Sequence, residues 1–120
     1  MEILVVDDYK DLAELIGQAL REKGYKVSVF GDPFDVLSFE DLSRFHLIIS
    51  DYNMPGMSGI KLIQKVREKN PTIKSVILTS NFGTIPKSER TSEFIDAFIE
   101  KGDECWKAVE SFIKSMQLPN

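Results

Sequence analysis

Along the chain, short solid apolar runs alternate with stretches where apolar residues recur every three or four positions. "EILVV" (2–6) is an apolar, largely β-branched run ending in Asp7 and Asp8, the pattern of a fully buried strand. From Leu12 the spacing changes, and Leu12, Leu15, Ile16, Ala19 and Leu20 form one face of a helix, with Gly24 placed as its C′ residue. "YKVSVF" (25–30) sets Tyr25, Val27 and Val29 against Lys26 and Ser28, which predicts a half-exposed edge strand. Asp32-Pro33 reads as an N-cap followed by proline at the first helical position, so a short second helix follows.

"FHLIIS" (45–50) is the third strand, and Ser58 caps a third helix whose face carries Ile60, Ile63 and Val66 with Leu62 beside them. Asn70-Pro71 closes that helix. "IKSVILTS" (73–80) and "DAFIE" (96–100) are the fourth and fifth strands. A last helix begins near Asp103 and carries Trp106, Val109, Phe112, Ile113 and Met116, of which Trp106, Phe112 and Ile113 are expected in the core. Strict alternation implies right-handed crossovers and a parallel sheet covered on both faces: an α/β, doubly wound five-stranded sheet of order 2-1-3-4-5. Residues 81–94 break the rhythm, because Gly83, Pro86 and a polar run leave only Ile85 and Phe94 as buried anchors. The fourth helix is therefore expected to be short or irregular, about 87–93, and weakly packed.

Composition narrows the function. A chain of 120 residues with 42% hydrophobic and 28% charged residues suits one globular domain, 1–120. No apolar run approaches the ~18–20 residues of a membrane span, and the short first apolar run, broken at once by aspartates, does not read as a signal peptide. The single cysteine, Cys105, excludes an internal disulfide and suits a reducing cytoplasm, with packing as its role. One His and one Cys disfavour a zinc site, and His46, inside a strand, reads as structural. The formal net charge of −4 argues against a nucleic-acid surface.

Candidate chemistry collects at the carboxyl ends of the strands, where open parallel sheets bind ligands at the switch point of the winding. Asp7 and Asp8 follow strand one, Asp51 follows strand three, Thr79 ends strand four and Lys101 follows strand five. Each like-charge carboxylate pair 4 Å apart costs about 1 kcal/mol in water and about 4 kcal/mol at an effective dielectric of 20. Either one pKa rises or a hard cation binds, and few oxygen ligands with room for water suit Mg²⁺. Carboxylates, a metal, a hydroxyl and a lysine make a phosphoryl-transfer site with one carboxylate as nucleophile.

"ILVVDD" (3–8), "LIISDYNMPGMSG" (47–59), "VILTS" (76–80) and "FIEK" (98–101) together resemble the signature segments of the response regulator receiver domain. That resemblance implies Asp51 as phosphoacceptor, with a histidine kinase or histidine phosphotransfer protein as donor. It implies Mg²⁺ held by Asp8, Asp51 and the backbone carbonyl of Asn53, with Asp7 acting through water. It further implies Thr79 and Lys101 on the phosphoryl oxygens, Thr79 and Phe98 as the switch pair, and Asn53 and Asn81 as tuners of autodephosphorylation. The output partner would read the 81–116 face, as a monomer or a weak phosphorylation-dependent dimer.

The chain departs from the family where Gly102 follows the lysine in place of the usual proline. A trans Lys101-Gly102 bond is expected, along with a different loop path, for which Gly102 permits unusual backbone angles. This departure and the weak fourth helix motivate an alternative, a receiver-like interaction module that works without phosphorylation. An aspartate-nucleophile phosphohydrolase fits poorly, because Asn53 stands where its second aspartate belongs. A nucleotide or flavin binder fits poorly too, because no glycine-rich loop follows strand one.

Overall fold

A computed structural model describes residues 1–116; residues 117–120 of the expected domain lie outside the described residues. The main sheet is parallel, in the order β2-β1-β3-β6-β7. Its strands are β1 (Glu2–Val6), β2 (Lys26–Phe30), β3 (Leu47–Asp51), β6 (Lys74–Thr79) and β7 (Ala97–Glu100). Counted as sheet strands alone, this is the 2-1-3-4-5 order that the alternation of elements predicts. The helices are α1 (Lys10–Glu22), α2 (Pro33–Leu37), α3 (Gly59–Lys69), α4 (Lys87–Arg90) and α5 (Cys105–Ser115).

Side chains of each strand alternate between two cores. Leu4, Val6, Ile48 and Ile77 pack with Val36 of α2 and Leu62, Ile63 and Val66 of α3. Ile3, Val5, Leu47, Ile49, Val76 and Leu78 pack on the opposite face with Ile16 and Leu20 of α1 and Val109 and Ile113 of α5. Each fully buried aliphatic side chain stabilises the fold by about 1.5–3 kcal/mol relative to exposure. Both faces are thus covered by apolar layers, and Asp51 and Thr79 end their strands at the carboxyl edge.

Local signals operate as the sequence implies. Gly24 adopts φ 96° and its N–H donates to the Arg21 carbonyl, ending α1. The Asp32 carboxylate accepts from the Phe34 N–H at 2.9 Å, and the Ser58 hydroxyl accepts from the Lys61 N–H at 3.2 Å. Asn70 goes beyond ending α3, donating to the carbonyls of Leu42 and Phe45 at 3.0 and 2.8 Å. His46 accepts from the Glu2 N–H through Nδ1 at 3.0 Å, in keeping with a structural role.

Four features differ in detail. The turn after Asp51 is a small hairpin, β4 (Asn53–Met54) and β5 (Met57–Ser58), turning through Pro55 and Gly56, the latter at φ 84°. The fourth helix is a single turn ending at Arg90 rather than near residue 93; the Thr91 hydroxyl bonds back to the Lys87 carbonyl. α5 starts at Cys105, not near Asp103, after the Cys105 N–H bonds to the Gly102 carbonyl. Trp106 is not a core residue: its indole lies half-exposed against α1, with the ammonium groups of Lys23 and Lys107 5.9 and 5.7 Å from the ring. It sits one position after buried Cys105, on the flank of the helix stripe rather than its centre.

The start of α3 runs hard against the end of β3. A Cβ on Gly59 would lie 2.1 Å from the Asp51 carbonyl oxygen and 2.9 Å from the Ser50 hydroxyl, whereas one on Gly102 would meet nothing within 4 Å. Gly102 also stays out of the left-handed region, and no described peptide bond is cis. Its backbone freedom is thus not used. Urea unfolding should show Gly59→Ala destabilised by about 3 kcal/mol or more, and Gly102→Ala within about 0.5 kcal/mol of the parent. Equal effects would refute the crowding at Gly59.

Candidate functional site

Strand register assembles the site. Val6 lies beside Ser50, so the next residues, Asp7 and Asp51, leave the sheet side by side. Asp51 pairs with Leu78, and the Tyr52 N–H donates to the Leu78 carbonyl at 2.8 Å, which sets Thr79 against the same loop. Thr79 pairs with Glu100, and the Lys101 N–H donates to the Thr79 carbonyl at 2.8 Å, bringing the lysine to the same edge.

One carboxylate oxygen from each of Asp7, Asp8 and Asp51 lies within 4.8 Å of the others. The three are not equivalent: Asp7 is fully buried, Asp51 is 6% exposed and Asp8 faces solvent. The Lys101 ammonium bridges the two buried ones, 3.1 Å from Oδ2 of Asp7 and 3.0 Å from Oδ1 of Asp51. Oδ1 of Asp7 also accepts from the Tyr9 N–H at 2.9 Å. Thr79 is buried and its hydroxyl accepts from the Asn81 N–H at 3.2 Å. A cavity of about 380 Å³ opens over Asp51, bounded by Tyr52, Asn53, Thr79, Asn81, Thr84 and Lys101.

Burial pushes the Asp51 carboxyl up to about 6, and the Asp7 charge adds to this, while the Lys101 ammonium opposes it. Burial alone would lower the Lys101 ammonium, but its hydrogen bonds and charge contacts with Asp51 and Asp7 outweigh it and hold the pKa above the usual value. The Tyr52 phenol is raised to about 12, chiefly because it donates to the Glu89 carboxylate. Oδ2 of Asp7 is buried with no aligned hydrogen-bond donor, although the ammonium lies close. Three carboxylates within 4.8 Å of one another, offset by a single ammonium, fit a hard divalent cation that keeps part of its water shell.

Comparison with known proteins places the chain in a family. A family model for the response regulator receiver domain matches residues 3–106. The chain belongs to the response regulator receiver family. The receiver is 33% identical to the probable transcriptional regulatory protein TcrX of Mycobacterium tuberculosis, over 65% of this chain and 33% of that one. It is 31% identical to the sensor histidine kinase RcsC of Salmonella typhimurium, over 84% of this chain and 11% of that one. It therefore spans a third or less of the length of these relatives. Among solved structures, the response regulator TrrA of Thermotoga maritima in complex with Mg²⁺-BeF has a TM-score of 0.81 and 27% identity, covering 95% of this chain and 96% of that one. A CheY-like receiver domain protein from Methanospirillum hungatei shares the fold at TM-score 0.81 and 22% identity, covering 97% of this chain and 93% of that one.

Within this receiver, Asp7, Asp8, Asp51, Thr79 and Lys101 all meet at one edge, and Asn53 and Asn81 border the same cavity. Phe98 does not join them. It is half-buried against the α2/α3 core, edge-on to Phe82 with centroids 5.6 Å apart. Lys101 reaches both aspartates despite the glycine that follows it. Sequence reasoning missed Tyr52, which borders the cavity and bonds to Glu89 37 residues away. Its adjacency to Asp51 was the available signal, whereas Glu89 lies in a segment without periodic pattern.

Folded Asp51 holds its proton up to about pH 6, the unfolded chain only to its usual 3.8. Its ionisation therefore weakens the fold as pH rises from about 4 through 6. Asp51→Asn should stabilise the protein at pH 7 by on the order of 2–3 kcal/mol in urea unfolding, and the gain should vanish near pH 4. A pH-independent difference would contradict this.

Proposed function

We propose that this receiver accepts a phosphoryl group on Asp51 from a histidine kinase or histidine phosphotransfer protein and thereby switches the binding of a partner. The bridge of the Lys101 ammonium between Asp51 and Asp7 carries the reading, since a surface lysine with only a solubilising role would not be held 3.0 Å from a buried carboxylate. An Asp51 oxygen attacks phosphorus of the donor phosphohistidine, an O–P bond forms, the N–P bond breaks, and the imidazole leaves and takes up a proton. Thr79 and Lys101 contact the phosphoryl oxygens, and Lys101 exchanges part of its pairing with Asp51 for the new charge. Asp8, Asp51 and the Asn53 carbonyl would hold Mg²⁺ with Asp7 acting through water. When bound, the ion neutralises charge on the transferring group.

In this reading Thr79 and Phe98 are the switch pair, and Asn53 and Asn81 set how readily water reaches the acylphosphate. Residues 1–120 act as one receiver domain, as a monomer or weak dimer in the cytoplasm, with the 81–116 face offered to the output partner. The chemistry is self-modification, not turnover. Of the two motives for a module independent of phosphorylation, the Lys-Gly step weakens, because Gly102 leaves the Lys101 ammonium in the site, and the single-turn fourth helix remains.

Incubation with Mg²⁺ and a small phosphodonor should add one phosphoryl group by intact mass spectrometry. Asp51→Asn should abolish the adduct, and Lys101→Ala should slow its formation by about 10²-fold. An adduct that persists in Asp51→Asn, or none in the parent with any donor, would remove the proposal.

A further inference from the structure

Phe34 is an aromatic side chain that neither core absorbs. It is 50% exposed, yet it projects from a helix, α2, whose Pro33 and Val36 are buried. Its N–H donates to the Asp32 carboxylate and its carbonyl accepts from the Ser38 hydroxyl, both at 2.9 Å, so its backbone is fixed. The ring lies on the tip of the Asn53–Ser58 hairpin. A Cβ on Gly56 would stand 2.9 Å from Cε2 and 3.5 Å from Cζ of Phe34, the two atoms within 4 Å of that position. This contact is made beside the acidic cluster: Asp8, Asp32, Phe34, Pro55 and Gly56 border a second cavity, of about 370 Å³. The hairpin itself has only two residue pairs, Asn53 with Ser58 and Met54 with Met57, and a hairpin so short is marginal alone. Its base is closed by the Gly59 N–H on the Tyr52 carbonyl at 2.8 Å, and buried Met54 anchors one strand. The Pro55–Gly56 tip is exposed, and the Phe34 ring is what rests on it.

We propose that Phe34 is a positioning residue for the metal site: its ring clamps the Pro55–Gly56 turn and thereby sets the direction of the Asn53 carbonyl toward the acidic cluster. This rests on the Mg²⁺ reading above, in which that carbonyl is a ligand with Asp8 and Asp51. Groups that orient a ligand without touching the metal typically change affinity about tenfold or more when removed. The choice of cation gives the clamp its own signature. Mg²⁺ demands near-ideal octahedral geometry, whereas Ca²⁺ accepts looser and more numerous oxygen ligands. A turn that wanders therefore harms Mg²⁺ binding more than Ca²⁺ binding. A general weakening of the fold would instead harm both alike.

The test titrates Mg²⁺ and, separately, Ca²⁺ into the parent, Phe34→Ala, Phe34→Tyr and Leu15→Ala, following backbone amide shifts by NMR. Leu15 is a half-exposed apolar residue of α1 and controls for the loss of such a side chain elsewhere. Phe34→Ala should bind Mg²⁺ about tenfold more weakly and Ca²⁺ within about threefold of the parent. In the metal-free protein its Gly56 amide should show a lower order parameter than in the parent. Phe34→Tyr, which keeps the ring, and Leu15→Ala should match the parent in all three measurements. Unchanged Mg²⁺ affinity in Phe34→Ala, an equal loss for the two cations, or an unaltered Gly56 order parameter would overturn the clamp while leaving the Mg²⁺ reading intact. The same loss in Phe34→Tyr or Leu15→Ala would also overturn it. No saturable Mg²⁺ shift in the parent would overturn both.

Discussion

Lys101 stands between two carboxylates that the fold forces into the same dry corner. Asp7 and Asp51 cannot avoid one another, because parallel pairing of β1 with β3 delivers them from adjacent strands at the same level. At an effective dielectric of 20, two such charges repel by about 4 kcal/mol at 4 Å, and both lie where water is scarce. The ammonium 3.1 and 3.0 Å away is the compensation the chain itself supplies. It is incomplete, since Asp51 still holds its proton more tightly than a free carboxyl. A site that remains under electrostatic load without a ligand is ready to accept a cation, and to have its charge rearranged by chemistry at Asp51.

The rest of the molecule keeps that load in place. Apolar layers on both faces hold the strands in place, and Asp7, Asp51, Thr79 and Lys101 emerge together at the carboxyl edge. Gly59 lets α3 begin almost in contact with the Asp51 carbonyl, and the Asn53–Ser58 hairpin folds the chain back over the acidic cluster. Rigidity on this side contrasts with the segment after β6, where one helical turn is bound mainly by side chains. Elements with few buried contacts open most easily, and here the least anchored helix follows a loop that borders the most charged site.

Much of this was legible in the sequence. Apolar runs such as "ILVV" and the Leu12–Leu20 periodicity stood out because burial on both faces of a sheet and on one face of a helix imposes different spacings. Caps at Asp32 and Ser58 and the stop at Gly24 act through neighbouring backbone groups, so local chemistry sufficed. Asp7, Asp8, Asp51, Thr79 and Lys101 could be gathered because winding order alone places strand ends. Phe98 and Trp106 were harder. Both lie on amphipathic elements, and whether an aromatic on the flank of such an element is core, wall or surface depends on what packs beside it.

By itself, then, the sequence determined the element order, the parallel topology and the set of polar residues at the carboxyl edge, since these follow from periodicity and chain direction. Only the tertiary structure decided that Asp7 is buried while Asp8 faces solvent, that Lys101 spans both buried carboxylates, and that Tyr52 holds Glu89. Those features join residues dozens of positions apart, and their energies come from burial and charge proximity that arise only once the strands are assembled. No local pattern encodes them.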